Sequence, residues 1–230
     1  MQLIIGNKNY SSWSMRSWAL LRHFCIPFTE RKLRFDLNPE SAFYAELALI
    51  TPAGKVPVLV EDDGFAVWDT LAIAEYIADI HPEYTIWPRD RRWRARARSL
   101  CAEMHAGFTR LRSLCPMNIE APLQNLGPEL FAREEGLRGD LARVSALIED
   151  ALRASGGPFL FGGFGAVDAY YAPVAMRIRS YGLPMSDTAA SYVERLVEAR
   201  GVREWVADAL AEHDFVPEDE PYRQAPVGQT

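Results

Sequence analysis

The residues best suited to chemistry lie close to the N-terminus, in Asn9-Tyr10-Ser11-Ser12-Trp13-Ser14-Met15-Arg16. They follow a short apolar run, Leu3-Ile4-Ile5-Gly6, and precede Trp18-Ala19-Leu20-Leu21 and Phe24-Cys25, which recur at helical spacing. The pattern is that of a strand, a hydroxyl-rich turn and a helix start. Ser and Asn side chains satisfy the unpaired amides of a helix's first turn. That turn also offers donors and partial positive charge to an anion. An ordinary N-cap needs nothing more; if the anion is a thiolate, the stretch is a catalytic site.

Gly54-Lys55-Val56-Pro57-Val58-Leu59 is the second candidate. Proline inside a strand run lacks the ladder donor, so it belongs at an edge, a bulge or a cis turn. A cis Val56-Pro57 bond would turn the Val56 amide and carbonyl toward a ligand's backbone as a strand mimic. An edge-strand proline is the plain alternative. The third candidate is Trp68-Asp69-Thr70, an acid and a hydroxyl where a strand end meets a helix start. The pair either caps the helix or seats a zwitterionic amino-acid group. In the second role Asp69 pairs an ammonium, while the Thr70 hydroxyl and amide hold a carboxylate.

The elements that must position these residues follow from periodicity. After the first strand and helix, Arg31 to Phe35 is a poorly alternating second strand, and Pro39 to Leu49 a short helix or irregular segment. Val56 to Val60 is a β-branched run, Glu61-Asp62-Asp63-Gly64 carries the Asp-Gly hairpin signal, and Phe65 to Trp68 returns as a strand. Ile73, Ala74, Ile77 and Ile80 mark one face of a helix opening near Asp69-Thr70. The order β-α-β-α-β-β-α predicts a mixed sheet flanked by helices over 1–80. His81 to Pro88, bracketed by prolines, is a linker. From 89 to 230 the chain is expected to be all-helical, with helices over 89–115, 129–154, 166–181, 188–199 and 202–213 and an extended tail from Pro217 to Thr230. The arginines of Arg89 to Arg98 spread over more than one helix face, which suits a solvated or subunit-contacting helix start.

Composition narrows the function. The 230 residues are 49% hydrophobic and 24% charged, as in soluble globular proteins. The formal net charge of −6 argues against a general nucleic-acid binder. No apolar run reaches spanning length and no basic region precedes an apolar core, so neither a membrane span nor a secretory signal is expected. Cys25, Cys101 and Cys115 show no CxxC spacing, and the histidines show no metal-ligand spacing. No metal is expected, and the cytoplasm is the expected compartment.

Taken together, the Ser-rich turn with Arg16 five residues after Ser11, Gly54-Lys55-Val56-Pro57-Val58-Leu59 and the acid-hydroxyl pair Asp69-Thr70 resemble the thioredoxin-like half of the soluble glutathione S-transferases. Ser11-Ser12-Trp13-Ser14-Met15-Arg16 is most similar to the zeta, tau and omega pattern. Glu103 to Phe108, Leu111-Arg112 through Asn118, and Phe161 to Ala169 are similar to one bacterial branch. The chain departs from the family in having Asp69-Thr70 for the usual Glu-Ser. It also has Gly165 where a Ser or Thr usually opens the capping box closed by Asp168, a residue assigned to folding.

The resemblance implies a thioredoxin-like N-terminal domain, an all-helical C-terminal domain and glutathione as cosubstrate. It implies Asp69 and Thr70 for the γ-glutamyl end, the Val56 backbone beside Pro57 for the cysteinyl backbone, and Lys55 for the terminal carboxylate. Ser11 would face the thiol, favoured over Ser12 by its spacing to Arg16, and Tyr10 is a lesser rival. The Ser12 and Trp13 amides would assist. The electrophile, small and hydrophobic or anionic, would sit against Tyr10, Met104, His105, Phe108 and Arg112. Met104, Phe108 and Arg112 fall on one face of the first long helix. Arg16 and Cys25 are expected to be structural, Cys25 within the helix body. The implied activity is glutathione transfer in a cytoplasmic homodimer. A glutathione-dependent cis-trans isomerase, similar to maleylacetoacetate isomerase, and a non-catalytic interaction protein are the alternatives.

Overall fold

The computed structural model describes residues 1–225. Gln2–Ile5 (β1), Thr29–Lys32 (β2), Val58–Val60 (β3) and Ala66–Trp68 (β4) form a sheet ordered β2-β1-β3-β4. β1 runs parallel to β2 and antiparallel to β3, and β3 runs antiparallel to β4. A parallel neighbour requires a crossover, supplied by α1 (Ser12–His23). Side chains alternate across β1. Leu3 and Ile5 therefore join a core with Met15 of α1 and Ile73 and Ile77 of α3 (Thr70–Ile80), while Ile4 packs with Phe43 and Leu47 of α2 (Ala42–Ala48). This is the thioredoxin-like half.

The rest is helical: α4 (Arg91–Ala106), α5 (Thr109–Leu114), α6 (Leu126–Arg133), α7 (Glu135–Ser155), α8 (Ala166–Tyr181), α9 (Asp187–Glu198) and α10 (Arg200–Glu212). α8 is the central post, buried along nearly its whole length. At its start the Asp168 carboxylate accepts from the Gly165 amide at 3.0 Å, the Leu160 amide at 3.1 Å and the Tyr192 hydroxyl at 2.8 Å. Burial nonetheless pushes its carboxyl up to about 6.

Several boundaries differ from expectation. β2 lies two residues earlier and exposes most of its residues, as an edge strand can, so it leaves no alternation to read. The 89–115 helix breaks at Gly107-Phe108, where Phe108 takes a left-handed φ of 51°. The 129–154 helix breaks at Glu134, in extended conformation. Leu130 and Leu137, seven residues apart, are both buried, so the apolar period runs through that break. Ile80, the last residue of α3, is exposed. Cys25 lies past the end of α1 at a left-handed φ of 57°, exposed, with the Arg200 Nη1 donating to its Sγ at 2.6 Å. The arginines around the start of α4 are mostly exposed, and Arg98 pairs with Glu75 through two 2.6 Å bonds. The tail holds one 3-10 turn, Pro217–Asp219, and its end, 226–230, lies outside the described residues. No helix among the described residues is long and apolar enough to cross a membrane.

Candidate active site

The turn after β1 is fixed from both halves of the molecule. Asn9 Oδ1 accepts from the Ile119 and Glu120 amides at 2.8 Å, and Asn9 Nδ2 donates to Asn118 at 3.0 Å. Lys8, buried against Trp18 and Trp205, pairs with Glu30 at 2.7 Å and Asp208 at 2.6 Å. Ser11 is the N-cap of α1. It accepts from the Ser14 amide at 3.4 Å and donates to Ser14 Oγ at 2.7 Å. Ser14 Oγ in turn accepts from the Gly6 amide at 3.2 Å, so the Ser11 hydroxyl is committed to holding strand, turn and helix together.

Ser12 differs. Its amide donates to the Tyr10 carbonyl at 2.8 Å, so that amide is not free for an anion. Its hydroxyl has no partner among the described residues, nor has the Trp13 amide. Both residues, with Tyr10 and Ser11 beside them, line a cavity of about 720 Å³ between the two halves. Gly54, Lys55, Val56, Pro57, Asp69 and Thr70 line the same cavity, and the Val56-Pro57 bond is cis.

Asp69 caps α3 by accepting from the Leu71 amide at 2.8 Å, while its other oxygen lies 3.8 Å from His105 Nε2. Its φ of 72° is unusual for a residue with a side chain. Such backbone strain costs on the order of 1–3 kcal/mol and clusters at ligand sites. The Thr70 hydroxyl is paired with the Tyr170 hydroxyl at 2.7 Å and buried, so of the two Thr70 groups expected to hold a carboxylate only the amide is unengaged among the described residues.

On the facing wall, His105 meets the edge of Trp13 with ring centroids 4.8 Å apart. Arg112 donates to the His105 carbonyl at 3.1 Å, across the α4–α5 break, and stacks 5.4 Å from the Trp13 ring centre. Met104 and Phe108 do not line the cavity. The break at Gly107 ends the shared helix face, and both side chains turn into the core. Tyr10 is removed as a thiol partner, because its hydroxyl donates to the buried Glu220 carboxylate at 2.6 Å; burial and that contact push its ionisation well up.

Two features escaped sequence reasoning, Arg177 and Asp219. Arg177 of α8 is 5% exposed, lines the cavity and is held by the Cys115 carbonyl at 2.9 Å and the Pro173 carbonyl at 3.2 Å. Burial and the nearby Arg16 and Arg112 lower it to about 9, which leaves it a cation at neutral pH. The unbroken apolar run Tyr170 to Met176 ahead of Arg177 was the available signal. Arg16, expected to be structural, is wedged between the rings of Trp13 of α1 (4.0 Å) and Tyr170 of α8 (4.6 Å), with Nε and Nη1 unpartnered among the described residues. Asp219, from the tail, also faces the cavity. Among the described residues neither Arg112 nor Arg177 has a carboxylate partner.

A thioredoxin-like fold presenting a helix start to an all-α partner defines a two-domain class, and comparison with known proteins identifies which. Residues 10–80 match the family model "Glutathione S-transferase, N-terminal domain", and residues 120–208 match "Glutathione S-transferase, C-terminal domain". The chain belongs to the soluble glutathione S-transferase superfamily. It is 34% identical over 136 residues to a probable maleylacetoacetate isomerase of Caenorhabditis elegans; the match spans 58% of this chain and 58% of that relative's length. Its fold is similar to a glutathione transferase homolog from Burkholderia gl BGR1 with bound glutathione (TM-score 0.67, 22% identity, 90% and 97% of the two chains). It is also similar to a diazinon-metabolizing glutathione S-transferase of the silkworm Bombyx mori (TM-score 0.67, 17% identity, 92% and 98%).

Proposed function

We propose that this chain is a glutathione-dependent enzyme, a transferase or cis-trans isomerase, whose second substrate is a small electrophile carrying a carboxylate. The observation that carries the reading is the pair of cations, Arg112 and Arg177, that face the cavity of the Ser12 turn without a carboxylate of the protein to neutralise them. Arg177 is buried and Arg112 half-buried, and a cation withdrawn from water is costly unless a ligand supplies the counter-charge. The name of the nematode relative supports a substrate of that class.

The residues fit glutathione along its length. Asp69 would pair the γ-glutamyl ammonium and the Thr70 amide would hold its carboxylate. The Val56 backbone beside Pro57 would pair the cysteinyl backbone, and the exposed Lys55 would meet the terminal carboxylate. We assign the thiolate donor to Ser12 with the Trp13 amide, and to Ser11 the cap that fixes them. A serine hydroxyl is too weak a base to take the thiol proton. Its value is as a donor to the anion, reinforced by the helix start and the buried Arg16 charge behind Trp13. Such settings lower a thiol pKa from about 8.5 to roughly 3.5–7.5, and a two-unit drop is about 2.7 kcal/mol of thiolate stabilisation. Activity in the cytoplasm as a homodimer is part of the same proposal, the dimer to be tested by light scattering.

The test is ultraviolet difference spectroscopy of the glutathione complex near neutral pH, followed by turnover of a cis-dienoic acid and of an aryl halide. A thiolate band with turnover of the acid supports the isomerase form, and turnover of the halide alone the conjugating form. Binding without a thiolate band would reduce the chain to a scaffold.

A further inference from the structure

The tail grips the entry of the Ser12 turn from 210 positions further along the chain. The Tyr10 hydroxyl donates to Glu220 Oε1 at 2.6 Å and accepts from the Val216 amide at 3.4 Å. The Glu220 side chain is 1% exposed, and both its oxygens pair with Arg223, whose Nε donates to Oε2 at 2.9 Å. The same guanidinium donates to Glu120 Oε2 at 3.2 Å and 3.3 Å. Glu120 in turn gives its backbone amide to Asn9 Oδ1 at 2.8 Å. Arg223 therefore closes two arms, one ending on the Tyr10 side chain and the other on Asn9. These two residues directly precede Ser11-Ser12, and the Tyr10 carbonyl accepts from the Ser12 amide at 2.8 Å. The Tyr222 hydroxyl fixes the tail itself, donating to the Leu114 carbonyl at 2.7 Å.

We propose that Glu220 and Arg223 are positioning residues for the thiolate site, setting through Tyr10 and Asn9 the backbone from which the Ser12 hydroxyl and Trp13 amide reach the sulfur. This rests on the reading of Ser12 as thiolate donor and extends that site to the tail. The Ser12 hydroxyl has no partner of its own among the described residues, so its place is set by the backbone that carries it. A donor serves a resident anion only when held within about 0.5 Å of the productive geometry by a supporting shell. A buried carboxylate holds its place only when paired and hydrogen-bonded. Glu220 meets that condition only while Tyr10 and Arg223 both hold it, so loosening the tail loosens the turn.

Ultraviolet titration of bound glutathione, which needs no turnover, tests this together with steady-state kinetics and thermal melts. Arg223→Met, which opens both arms, should raise the apparent pKa of the bound thiol by about one unit and lower kcat about tenfold near neutral pH, with KM for glutathione within about twofold. Tyr10→Phe, which removes one hydroxyl and leaves the Arg223–Glu220 pair in place, should move the thiol in the same direction. Arg223→Lys, which keeps a cation against Glu220, should recover part of the loss, and the exposed Glu218→Gln should titrate as wild type. On a Ser12→Ala background the tail substitutions should change the thiol equilibrium by less than about twofold, because the hydroxyl they position is gone. A lowered melting temperature with an unshifted thiol pKa in both Arg223→Met and Tyr10→Phe overturns the proposal and leaves the Ser12 reading standing. So does a shift that persists in full beside Ser12→Ala. A thiol pKa unmoved by Ser12→Ala alone overturns both.

Discussion

Two adjacent serines line the same cavity, but the Ser11 hydroxyl is engaged with Ser14 while that of Ser12 has no partner among the described residues, and the proposed roles follow from that difference. Ser11 donates to Ser14, and Ser14 accepts from Gly6, so Ser11→Ala should cost stability, about 1 kcal/mol as for other N-caps. Ser12→Ala should leave the melting temperature nearly unchanged and lower kcat far more than it raises KM for glutathione, with a higher apparent thiol pKa in the pH-rate profile. Steady-state kinetics and thermal melts on both variants check the assignment; the reverse pattern would return the thiolate to Ser11. Spacing to Arg16 favoured Ser11. Spacing counts residues along the chain, whereas the choice depends on which hydroxyl the backbone has already engaged.

At the scale of elements, α8 is the post on which the site wall stands, since it supplies Arg177, and the Tyr170 that stacks on Arg16 and pairs with Thr70. Its start depends on Asp168, fully buried and accepting three hydrogen bonds. Burial raises this carboxyl from an ordinary 3.8 to about 6. The folded protein thus holds the proton more tightly than the unfolded chain. The stability linked to that proton is complete below about pH 4 and is lost as pH rises through about 6. Asp168→Asn should flatten this part of the stability profile, measured by urea melts from pH 4 to 7. It should also cost roughly 1–3 kcal/mol at neutral pH through the weakened buried hydrogen bonds. An unchanged slope between pH 4 and 6 would show that other groups govern it. The i, i+4, i+8 spacing of Met104, Phe108 and Arg112 misled for the first two of them, for a reason of the same scale. A Gly107-Phe108 break preserves periodicity in sequence while ending the helix face in space.

The whole molecule shares one core between its halves. Residues of β1, α1 and α3 join the same apolar cluster as residues of α4, α7, α8, α9 and α10, and Trp205 of α10 donates to the Lys8 carbonyl at 3.0 Å. Scanning calorimetry should therefore give one cooperative transition, and the 1–80 fragment should not fold alone, having lost the partners of α1. Two resolved transitions would contradict this. Local chemistry decided much in advance: the Ser-rich helix start, the Gly54 to Leu59 run, the Asp69-Thr70 junction, the β-α-β-α-β-β-α order and the helical remainder were all legible, because caps, turns and periodicity act within a few residues. Tertiary structure alone decided that Tyr10 is bound to Glu220, that Met104 and Phe108 turn inward, and that Arg177 and Asp219 reach the cavity. Those outcomes depend on hydrogen bonds and packing between residues as much as two hundred positions apart, as for Tyr10 and Glu220, and no local pattern encodes which side chain such a contact has already claimed.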